Sequence, residues 1–444
     1  MRRALLLARH FPPIGGAGVH RTLGSVRHLP EHGYQPIVVT GPGDHRDRWN
    51  PHDPELLAAV PAGIEVHRLD GPEPGPRSAV LTRVDGLRQV PPPWEQWWVE
   101  RSRALGRRVG ADVDVVVASC LPYHTSFAGA ALAGDLGVPW IADLEDPWAL
   151  DEMRTYPTGL HRRRELRRMR TALQSAAAIV MCASEAAVRI RCAFPELAAR
   201  VHAIPIGYEP ADFDVAASPD RDDDVLRIVH SGSMHTDFGL QIRRTRARRR
   251  LLGGTYPGVD ILPRSHVFLC EAIASLVEAE PSLRGRVELH LAGDLTPGDR
   301  AIAQRHEFTR LPGLLTHRET VRLMRSADLL FLPMQDLPPG SRAGLIPYKT
   351  YEYLAAGRSV VAAVPDGDVR DMLAPLAHVS LVRPTDTDAM KAVLRAHLAD
   401  LRARRALRRE PPPELMRSAC VARIAEVLDC VLAGTSARQA LPAR

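Results

Sequence analysis

The stretch GLIPYKTYEYLAAGRSVVAAVPDGD, Gly344 to Asp368, decides how this chain folds. An apolar run at residues 329–333 precedes it, and a second apolar run lies within it at residues 359–364. Between the two runs, Pro347 suits the first turn of a helix, where its missing N–H costs no hydrogen bond. The order strand, helix, strand predicts a right-handed crossover between parallel strands of one sheet.

The same alternation of short apolar runs and longer amphipathic stretches extends over nearly the whole chain. Many of the runs are continuous Val, Ile, Leu and Ala, which is typical of parallel strands covered on both faces. Strands are predicted at residues 4–8, 36–40, 64–69, 113–119, 139–144, 178–183, 202–206, 226–230, 287–291, 308–311, 329–333, 359–364 and 379–382. Helices are predicted at residues 19–31, 265–280, 297–306, 318–327 and 347–356. The pattern indicates the α/β class, with doubly wound parallel sheets.

Length and composition divide this pattern into two domains. A chain of 444 residues exceeds one ordinary core, and 45% hydrophobic with 25% charged residues is a globular composition. Residues 209–224 are acidic and poor in large apolar side chains, which indicates a linker between domains at 1–208 and 225–410. Segment 411–444 begins with three prolines, and its apolar residues at helical spacing predict a C-terminal helix that packs back across both lobes. We expect two Rossmann-like domains that face each other across a central cleft.

Composition also excludes several classes of protein. No apolar run approaches the roughly 18 residues of a membrane-spanning helix. The first apolar stretch is shorter than the roughly 7–15 residues of a signal sequence, so we expect a cytoplasmic protein. The six cysteines contain no CxxC pair, and neither a zinc site nor a disulfide framework is expected.

A run of arginines is the main concentration of the net charge of +6. Residues 243–250 hold six arginines in eight positions, within a stretch at 241–263 that resembles an insertion and a mobile flap. The run is either a solvated loop or helix face, or a patch for an anionic membrane or polyanionic acceptor. Nucleic acid is not an expected partner, because no recognisable nucleic-acid motif accompanies the run and aromatic residues make up 5% of the chain.

Glycine-containing loops follow the first predicted strand of each domain. Gly15 and Gly16 lie in the loop HFPPIGGAGVHR, and Gly232 and Ser233 lie in the loop IVHSGSMHTDFG. Glycines let a backbone approach a ligand closely, and a following helix N-terminus offers free N–H groups to a phosphate. The first loop is not GxGxxG, which argues against a dinucleotide site. Tight structural turns are the alternative interpretation of both loops.

Lys349 and Glu352 stand three residues apart and therefore share one face of the predicted helix. A carboxylate in that position can accept hydrogen bonds from both ribose hydroxyls, and a lysine beside it can offset phosphate charge. Spacing alone equally allows an ordinary surface Lys–Glu pair.

Three stretches together resemble glycosyltransferase family 4, which has the GT-B fold. They are PPIGGAGVHRTLGSVRHLPEHGYQPIVVT at 12–40, VPWIADLEDPW at 138–148 and IPYKTYEYLAAGRSVVA at 346–362. The resemblance is to bacterial members with PP-x-GG-x-GV, PW-x-x-D-x-x-DPW and P-x-K-x-(F/Y)-EY-x-A-x-G-x-x-V segments. These stretches fall in both predicted domains, and their combination is specific where each piece alone is not.

The resemblance implies a role for each matching residue on the donor side. Gly15 and Gly16 would line the cleft beside the transferred sugar and the phosphates. Glu352 would hold the donor ribose. Arg264 and Lys349 would bind the diphosphate and stabilise the leaving group.

Other matching residues carry further implied roles. His124, in SCLPYHTSF, would be a cleft histidine that takes part in catalysis, and Asp143 and Asp146 would lie near the acceptor or brace its pocket. Tyr351 belongs to the donor-binding segment. From the residues alone, His124 could equally be a structural histidine, and the two aspartates could be caps or ion-pair partners.

Family membership would imply transfer with retention of anomeric configuration, without a cofactor or a bound metal. The leaving phosphate would itself take the acceptor proton. The donor would be a UDP- or GDP-sugar, and the acceptor a glycan, a lipid-linked sugar or a small molecule. Peripheral contact with the inner membrane face would accompany a lipid-linked acceptor.

One departure from the family pattern leaves alternatives open. Many members carry a second glutamate eight positions before the ribose-binding one, where this chain has Gly344. A nucleotide-sugar 2-epimerase would share the two-domain plan but would need acidic and histidine groups for proton transfer at the donor sugar. A non-catalytic partner would keep the fold and lose the activity.

Overall fold

The computed structural model describes residues 1–44, 47–215, 223–401, 403 and 409–439. The chain forms two compact units. The first unit contains Met1–Gly207 together with the segment that begins at Met416, and the second contains Tyr208–Leu415. Within those described ranges, no helix is both long and apolar enough to cross a membrane.

The first unit is built on a parallel sheet of seven strands. The strands are β1 (Arg2–Leu7), β2 (Tyr34–Thr40), β3 (Glu65–Arg68), β4 (Val115–Ser119), β5 (Trp140–Leu144), β6 (Ala178–Met181) and β7 (Val201–Ala203). The helices that connect them are α1 (Ala17–His28), α2 (Ala79–Arg88), α3 (Pro93–Val109), α4 (Thr125–Leu136), α5 (Gly159–Leu173) and α6 (Ser184–Ala193). The strand order is β3-β2-β1-β4-β5-β6-β7, which reverses direction beside β1 as in Rossmann-like domains.

The second unit repeats this plan with six parallel strands. The strands are β8 (Leu226–Ser231), β9 (Val287–Ala292), β10 (Thr309–Gly313), β11 (Leu329–Pro333), β12 (Ser359–Ala363) and β13 (Val379–Val382). The helices are α7 (Thr236–Leu251), α8 (Val267–Ala279), α9 (Pro297–Ala303), α10 (His317–Arg325), α11 (Lys349–Ala355), α12 (Asp368–Leu373) and α13 (Thr387–Ala399). The order β10-β9-β8-β11-β12-β13 again reverses beside its first strand. The prediction of two doubly wound, parallel-sheet Rossmann-like domains is confirmed.

Central strands are apolar throughout because helices cover both of their faces. In β1, Leu5 and Leu7 are fully buried, and Leu5 pairs with Ile37 of β2 and Val116 of β4. All five residues of β11 are buried. Such strands have no polar face, which explains the continuous apolar runs of the sequence.

The C-terminal helix α14 (Arg417–Gln439) belongs to the first unit. Its Cys420, Ile424 and Leu428 lie in the same apolar core as Leu6 and Leu23. The buried side chain of Arg417 packs directly against helix α1 at Gly24. Any larger residue at position 24 would block this contact, because a Cβ there would lie 2.2 Å from Cδ of Arg417. The apolar residues whose helical spacing predicted this helix therefore form a face that is buried in the core of the first unit.

The divisions between the units fall after Gly207 and before Met416, where the sequence predicted domains at 1–208 and 225–410. The predicted linker at 209–224 is partly ordered. Its described residues up to Val215 belong to the second unit, where Arg325 Nη1 donates to the carbonyl of Val215 at 2.9 Å. Residues 216–222 of that linker lie outside the described residues. The chain passes between the units twice, and the backbone N–H of Tyr208 donates to the carbonyl of Leu415 at 2.9 Å.

The arginine run lies on a helix, one of the forms that the sequence allowed for it. Arginines 243–250 lie in helix α7, whereas the sequence indicated an inserted flap at 241–263. Arginine is a good helix former, and the lack of an apolar period concealed the helix. Arg243 pairs with Asp260 at 2.5 Å, so the segment that follows α7 is tied back to it.

Candidate functional site

The candidate donor site of the second unit begins where β8 ends. Gly232 follows Ser231 with a φ of +99°, a conformation that L side chains rarely adopt. Its N–H donates to the carbonyl of Ala292 at 2.8 Å. A Cβ on Gly232 would lie 3.2 Å from Nζ of Lys349, so glycine allows the ammonium group to approach the backbone. Gly232 is exposed and Ser233 is half-buried, which places both at the surface of the unit.

Lys349 is the first residue of α11, and its side chain is partly buried. The pKa of Lys349 is lowered to about 7, first by burial and then by the positive charge of Arg264, while the charge of Glu352 opposes the change. The helix therefore brings to the edge of the sheet a cation that an incoming anion would stabilise.

His230 of β8 lies directly beneath this lysine. Its Nε2 is 3.2 Å from Nζ of Lys349, and its Nδ1 is 3.0 Å from the carbonyl of Phe331. Burial, followed by the charge of Lys349, holds the pKa of His230 well below its usual range. The ring is therefore neutral, with Nδ1–H donating to Phe331 and Nε2 accepting from the lysine. The backbone N–H of Ser231 donates to the hydroxyl of Tyr353 at 3.0 Å and holds α11 against β8.

Arg264 supplies a second cation to the same region. The backbone N–H of His235 donates to the carbonyl of Arg264 at 3.1 Å, and Nη1 of Arg264 donates to Oε1 of Gln335 at 3.3 Å. Gln335 follows β11, so the arginine lies at the carboxyl end of the sheet. Ligands of doubly wound folds bind at that end.

Glu352 is 8% exposed and lies one helical turn beyond Lys349. Its Oε1 is 3.7 Å from Nδ1 of His317, and Nε2 of that ring is 3.4 Å from Oδ2 of Asp212. Both separations are ion-pair contacts rather than short hydrogen bonds. Tyr351, predicted to belong to the donor site, is fully buried, with its ring 6.4 Å from that of Tyr348.

In the first unit, the glycine loop is shaped by close packing against residues 49–51. The N–H of Gly15 donates to the carbonyl of Pro51 at 2.7 Å. Gly16 has a φ of +97°, and a Cβ on it would lie 2.2 Å from the carbonyl oxygen of Trp49. The close packing against residues 49–51 therefore favours glycine at both positions, whether or not a ligand contacts them.

Asp143 lies at the end of β5 and binds a buried arginine that sequence reasoning missed. Nε of Arg21 is 2.7 Å from both carboxylate oxygens of Asp143, and Nη1 donates to the carbonyl of Ile204 at 3.0 Å. Burial would lower the pKa of Arg21, but the charge of Asp143 raises it. Asp143 thus braces α1 against the sheet. Asp146 is half-buried, three residues further on.

Glu145, between these two aspartates, is a further candidate that the sequence did not single out. Its Oε1 is buried and has no hydrogen-bond partner among the described residues. The carboxylate faces α1, because a Cβ on Gly18 would lie 3.3 Å from Oε1. The pKa of Glu145 is raised to about 8, first by burial and then by the charges of Asp146 and Asp143. In the sequence, the only sign of this candidate was that the run DLED, residues 143–146, contains a third carboxylate.

His124 lies in a groove between α3, α4 and α5, with a volume of about 500 Å³. Nη2 of Arg168 is 2.9 Å from Nε2 of His124, and an arginine can only donate, so this nitrogen accepts. Nδ1 lies 2.5 Å from Oε2 of Glu95, an electrostatic contact without the alignment of a hydrogen bond. Both ring nitrogens of the predicted catalytic histidine are therefore engaged within the first unit.

The structure thus brings Lys349, Arg264, Glu352 and Gly232 together in the second unit. The predicted residues Gly15, Gly16, His124, Asp143 and Asp146 belong to the first unit. Among the described residues, no group of three or more His, Cys, Asp or Glu side chains is arranged to hold a metal ion.

Comparison with known proteins agrees with this architecture. Residues 262–400 match the family model described as Glycosyl transferases group 1, and this range contains Arg264, Lys349 and Glu352. No curated protein matches the chain in sequence.

Solved structures of the GT-B fold align with nearly the whole chain. Trehalose-6-phosphate synthase from Burkholderia multivorans is 14% identical, with a TM-score of 0.58 over 100% of both chains. Sucrose-phosphate synthase from Thermosynechococcus elongatus is 15% identical, with a TM-score of 0.56 over 99% of both. UDP-GlcNAc 2-epimerase from Neisseria meningitidis, bound to UDP-GlcNAc, is 12% identical, with a TM-score of 0.51 over 96% of this chain and 100% of the other. At such identities the likeness shows a shared fold, and this chain has the GT-B fold of two Rossmann-like domains.

Proposed function

We propose that this protein is a retaining glycosyltransferase that moves a sugar from a nucleoside diphosphate sugar to an acceptor hydroxyl. The observation that carries the proposal is the placement of Lys349 beside Gly232, with the charge of Arg264 acting on it. Two cations and an exposed glycine turn at the carboxyl end of a doubly wound sheet suit a diphosphate. The match of residues 262–400 to Glycosyl transferases group 1 supports the same assignment.

The donor would be held by groups of the second unit. Backbone N–H groups at Gly232 and Ser233, with Lys349 and Arg264, would bind the diphosphate. The carboxylate of Glu352 would accept hydrogen bonds from the ribose hydroxyls, and its contact with His317 fixes its direction. The base would be uracil or guanine, and several solved relatives in the fold are complexes with UDP or a UDP-sugar.

In the reaction, the bond between the anomeric carbon and the leaving phosphate oxygen breaks while the acceptor oxygen bonds to that carbon. Negative charge develops on the leaving diphosphate, and Lys349 and Arg264 stabilise it. The acceptor proton passes to the departing phosphate oxygen on the same face of the sugar, which gives retention. This route needs no bound metal and no enzymic base, and the acceptor would be a glycan, a lipid-linked sugar or a small molecule.

The proposal is tested by measuring binding and release of nucleoside diphosphate over a panel of nucleotide sugars, with EDTA present and absent. We expect one donor to bind and to be consumed only with acceptor, unaffected by EDTA. Lys349→Ala and Arg264→Ala should each weaken donor binding, because charged hydrogen bonds are worth about 1.5–3 kcal/mol. Lys391→Ala, which removes a surface lysine paired with Asp388 in the same unit, is the matched control.

Two results would contradict the proposal. Unchanged donor binding in both variants would mean that the diphosphate site is assigned to the wrong residues. Conversion of the donor to its 2-epimer without any acceptor, followed by NMR, would make the protein an epimerase.

A further inference from the structure

Helix α2 carries an apolar face that the described part of the chain does not cover. None of its ten residues is buried. Val80, Leu81, Val84 and Leu87 are 71%, 50%, 37% and 62% exposed. On a helix these positions fall within an arc of about 120°, so their side chains form one continuous apolar stripe. Contiguous exposed apolar surface of this kind marks an interaction site.

Polar contacts at its C-terminal end hold α2 in place. Nη1 of Arg164 donates to the carbonyl of Arg88 at 2.9 Å, and Nε2 of His161 lies 2.8 Å from the carbonyl oxygen of Leu87. The side chain of Gln89 donates to the carbonyl of His161 at 2.9 Å. The first two contacts satisfy the carbonyls of Arg88 and Leu87 at the end of α2, which the helix itself leaves unpaired. The helix is therefore fixed on α5 without using its apolar face.

Helix α5 continues this surface with a row of cations. Leu160, Arg163, Arg164 and Arg167 stand at positions i, i+3, i+4 and i+7 and therefore share one face of α5. All four are exposed, Leu160 to 73%. Arg164 belongs both to this row and to the contact with α2, so the row runs beside the end of α2.

Helix α5 itself is strongly basic. Residues Gly159–Leu173 contain six arginines and one acidic residue, Glu165, which is buried. Among the described residues, no carboxylate lies within ion-pair distance of Arg83, Arg163 or Arg167. Exposed leucines and valines bordered by unpaired arginines are the composition of a segment that lies in a membrane interface.

We propose that the apolar face of α2 and the arginine row of α5 dock this protein on the surface of an anionic lipid bilayer. Val80, Leu81, Val84 and Leu87 enter the boundary between headgroups and acyl chains. The arginines pair with lipid phosphates, which their planar guanidinium groups match well. The surface lies wholly within the first unit and does not depend on the reaction that the protein catalyses.

The test is sedimentation of the full chain with vesicles of phosphatidylcholine alone or mixed with phosphatidylglycerol. We expect binding to the anionic vesicles, none to the neutral ones, and release by high salt. Leu81→Glu/Leu87→Glu and Arg163→Glu/Arg167→Glu should each weaken binding by at least about tenfold. Because all four residues are exposed, circular dichroism should show unchanged folding.

Leu251→Glu is the matched control, because Leu251 is 87% exposed and ends the arginine-rich helix α7. Its binding to anionic vesicles should equal that of the wild type. Hydrogen exchange of residues 79–88 should slow when anionic vesicles are present. Failure of the wild type to bind anionic vesicles overturns the proposal, as does undiminished binding by Leu81→Glu/Leu87→Glu. Loss of binding in Leu251→Glu with retention in the α2 variant would assign docking to α7 instead.

Discussion

Nζ of Lys349 lies 3.2 Å from Nε2 of His230, which joins α11 to the first strand of the second sheet. The lysine has a pKa of about 7 because of burial and the charge of Arg264, while burial keeps the histidine neutral. The free site therefore changes charge near neutral pH. An anion bound beside Lys349 would favour its protonated form and raise its pKa.

Nucleoside diphosphate binding should consequently weaken as the pH rises through the pKa of Lys349. Below about 7 the lysine is charged before binding, and above it a proton must be taken up. Between about pH 7 and pH 9 we expect affinity to fall by about 10–50-fold in titration calorimetry. Lys349→Arg should bind with little pH dependence, because arginine keeps its charge. A wild-type affinity that stays flat over this range would show that Lys349 does not contact the phosphates.

Glu352→Gln should weaken binding of the nucleotide by about 10–100-fold, since hydrogen bonds to a charged group contribute about 1.5–3 kcal/mol. The variant should also lose discrimination between the ribonucleotide and its 2′-deoxy analogue. Asp388→Asn, on an exposed carboxylate of the same unit, is the control and should bind as the wild type does. Retained discrimination in Glu352→Gln would separate this carboxylate from the ribose.

The sequence predicted the sheets well because buried parallel strands leave a local signal. Strand β11 was predicted residue for residue, and β1 within two residues at its start. Helix α2 was not predicted, because its apolar side chains are exposed among the described residues and no neighbouring pattern supports the helix. The pairing of His230 with Lys349 could not be predicted either, since 119 positions separate the two residues and only the crossover brings them together.

Two further features of the site depend on tertiary packing. In the sequence, Arg21 is simply the last residue of a glycine-rich motif. Its ion pair with Asp143 could not be predicted, because Asp143 lies on β5, 122 positions away. The elevated pKa of Glu145 follows from burial, which the run DLED does not reveal. Residue types and spacing thus identified Lys349 and Glu352 as a pair, but not the groups that control their charge.

Replacing Gly16 should destabilise the first unit more than replacing a glycine that has a positive φ alone. Gly16→Ala combines an unfavourable backbone with a Cβ 2.2 Å from the carbonyl oxygen of Trp49. We expect the free energy of unfolding to fall by about 2–4 kcal/mol. Gly33 has a φ of +82° and open space around it, so Gly33→Ala should cost about 1 kcal/mol. Equal losses in thermal unfolding would show that the contact with Trp49 is readily relieved.

Asp143→Asn should be strongly destabilising, because it leaves the buried guanidinium of Arg21 without its charge partner. Breaking a buried ion pair costs about 3–5 kcal/mol. Asp135→Asn breaks the exposed pair with Arg103 in the same unit and should change stability little. Denaturant unfolding of the full chain compares the two variants. A small effect of Asp143→Asn would mean that water reaches Arg21.

Glu145 should make stability fall as the pH rises from about 4.5 to about 8. Its pKa is raised from 4.5 to about 8, so the folded state holds the proton more tightly than the unfolded chain. The stability that this proton provides is fully present below about pH 4.5, is lost progressively as the pH rises, and is gone once the pH has passed about 8. Glu145→Gln should therefore raise Tm by about 2–4 °C at alkaline pH and have little effect near pH 5. The same Tm difference at both pH values would assign the effect to packing instead of titration.

The return of α14 to the first unit also sets the order in which a growing chain can fold. The second unit is continuous in sequence, so all of it has been synthesised before Arg417 is added. The core around Leu23 and Val26 stays open until Ile424 and Leu428 emerge. The first domain to be translated is therefore the last to be completed, and a nascent chain that stalls before α14 presents an uncovered apolar surface to chaperones and proteases.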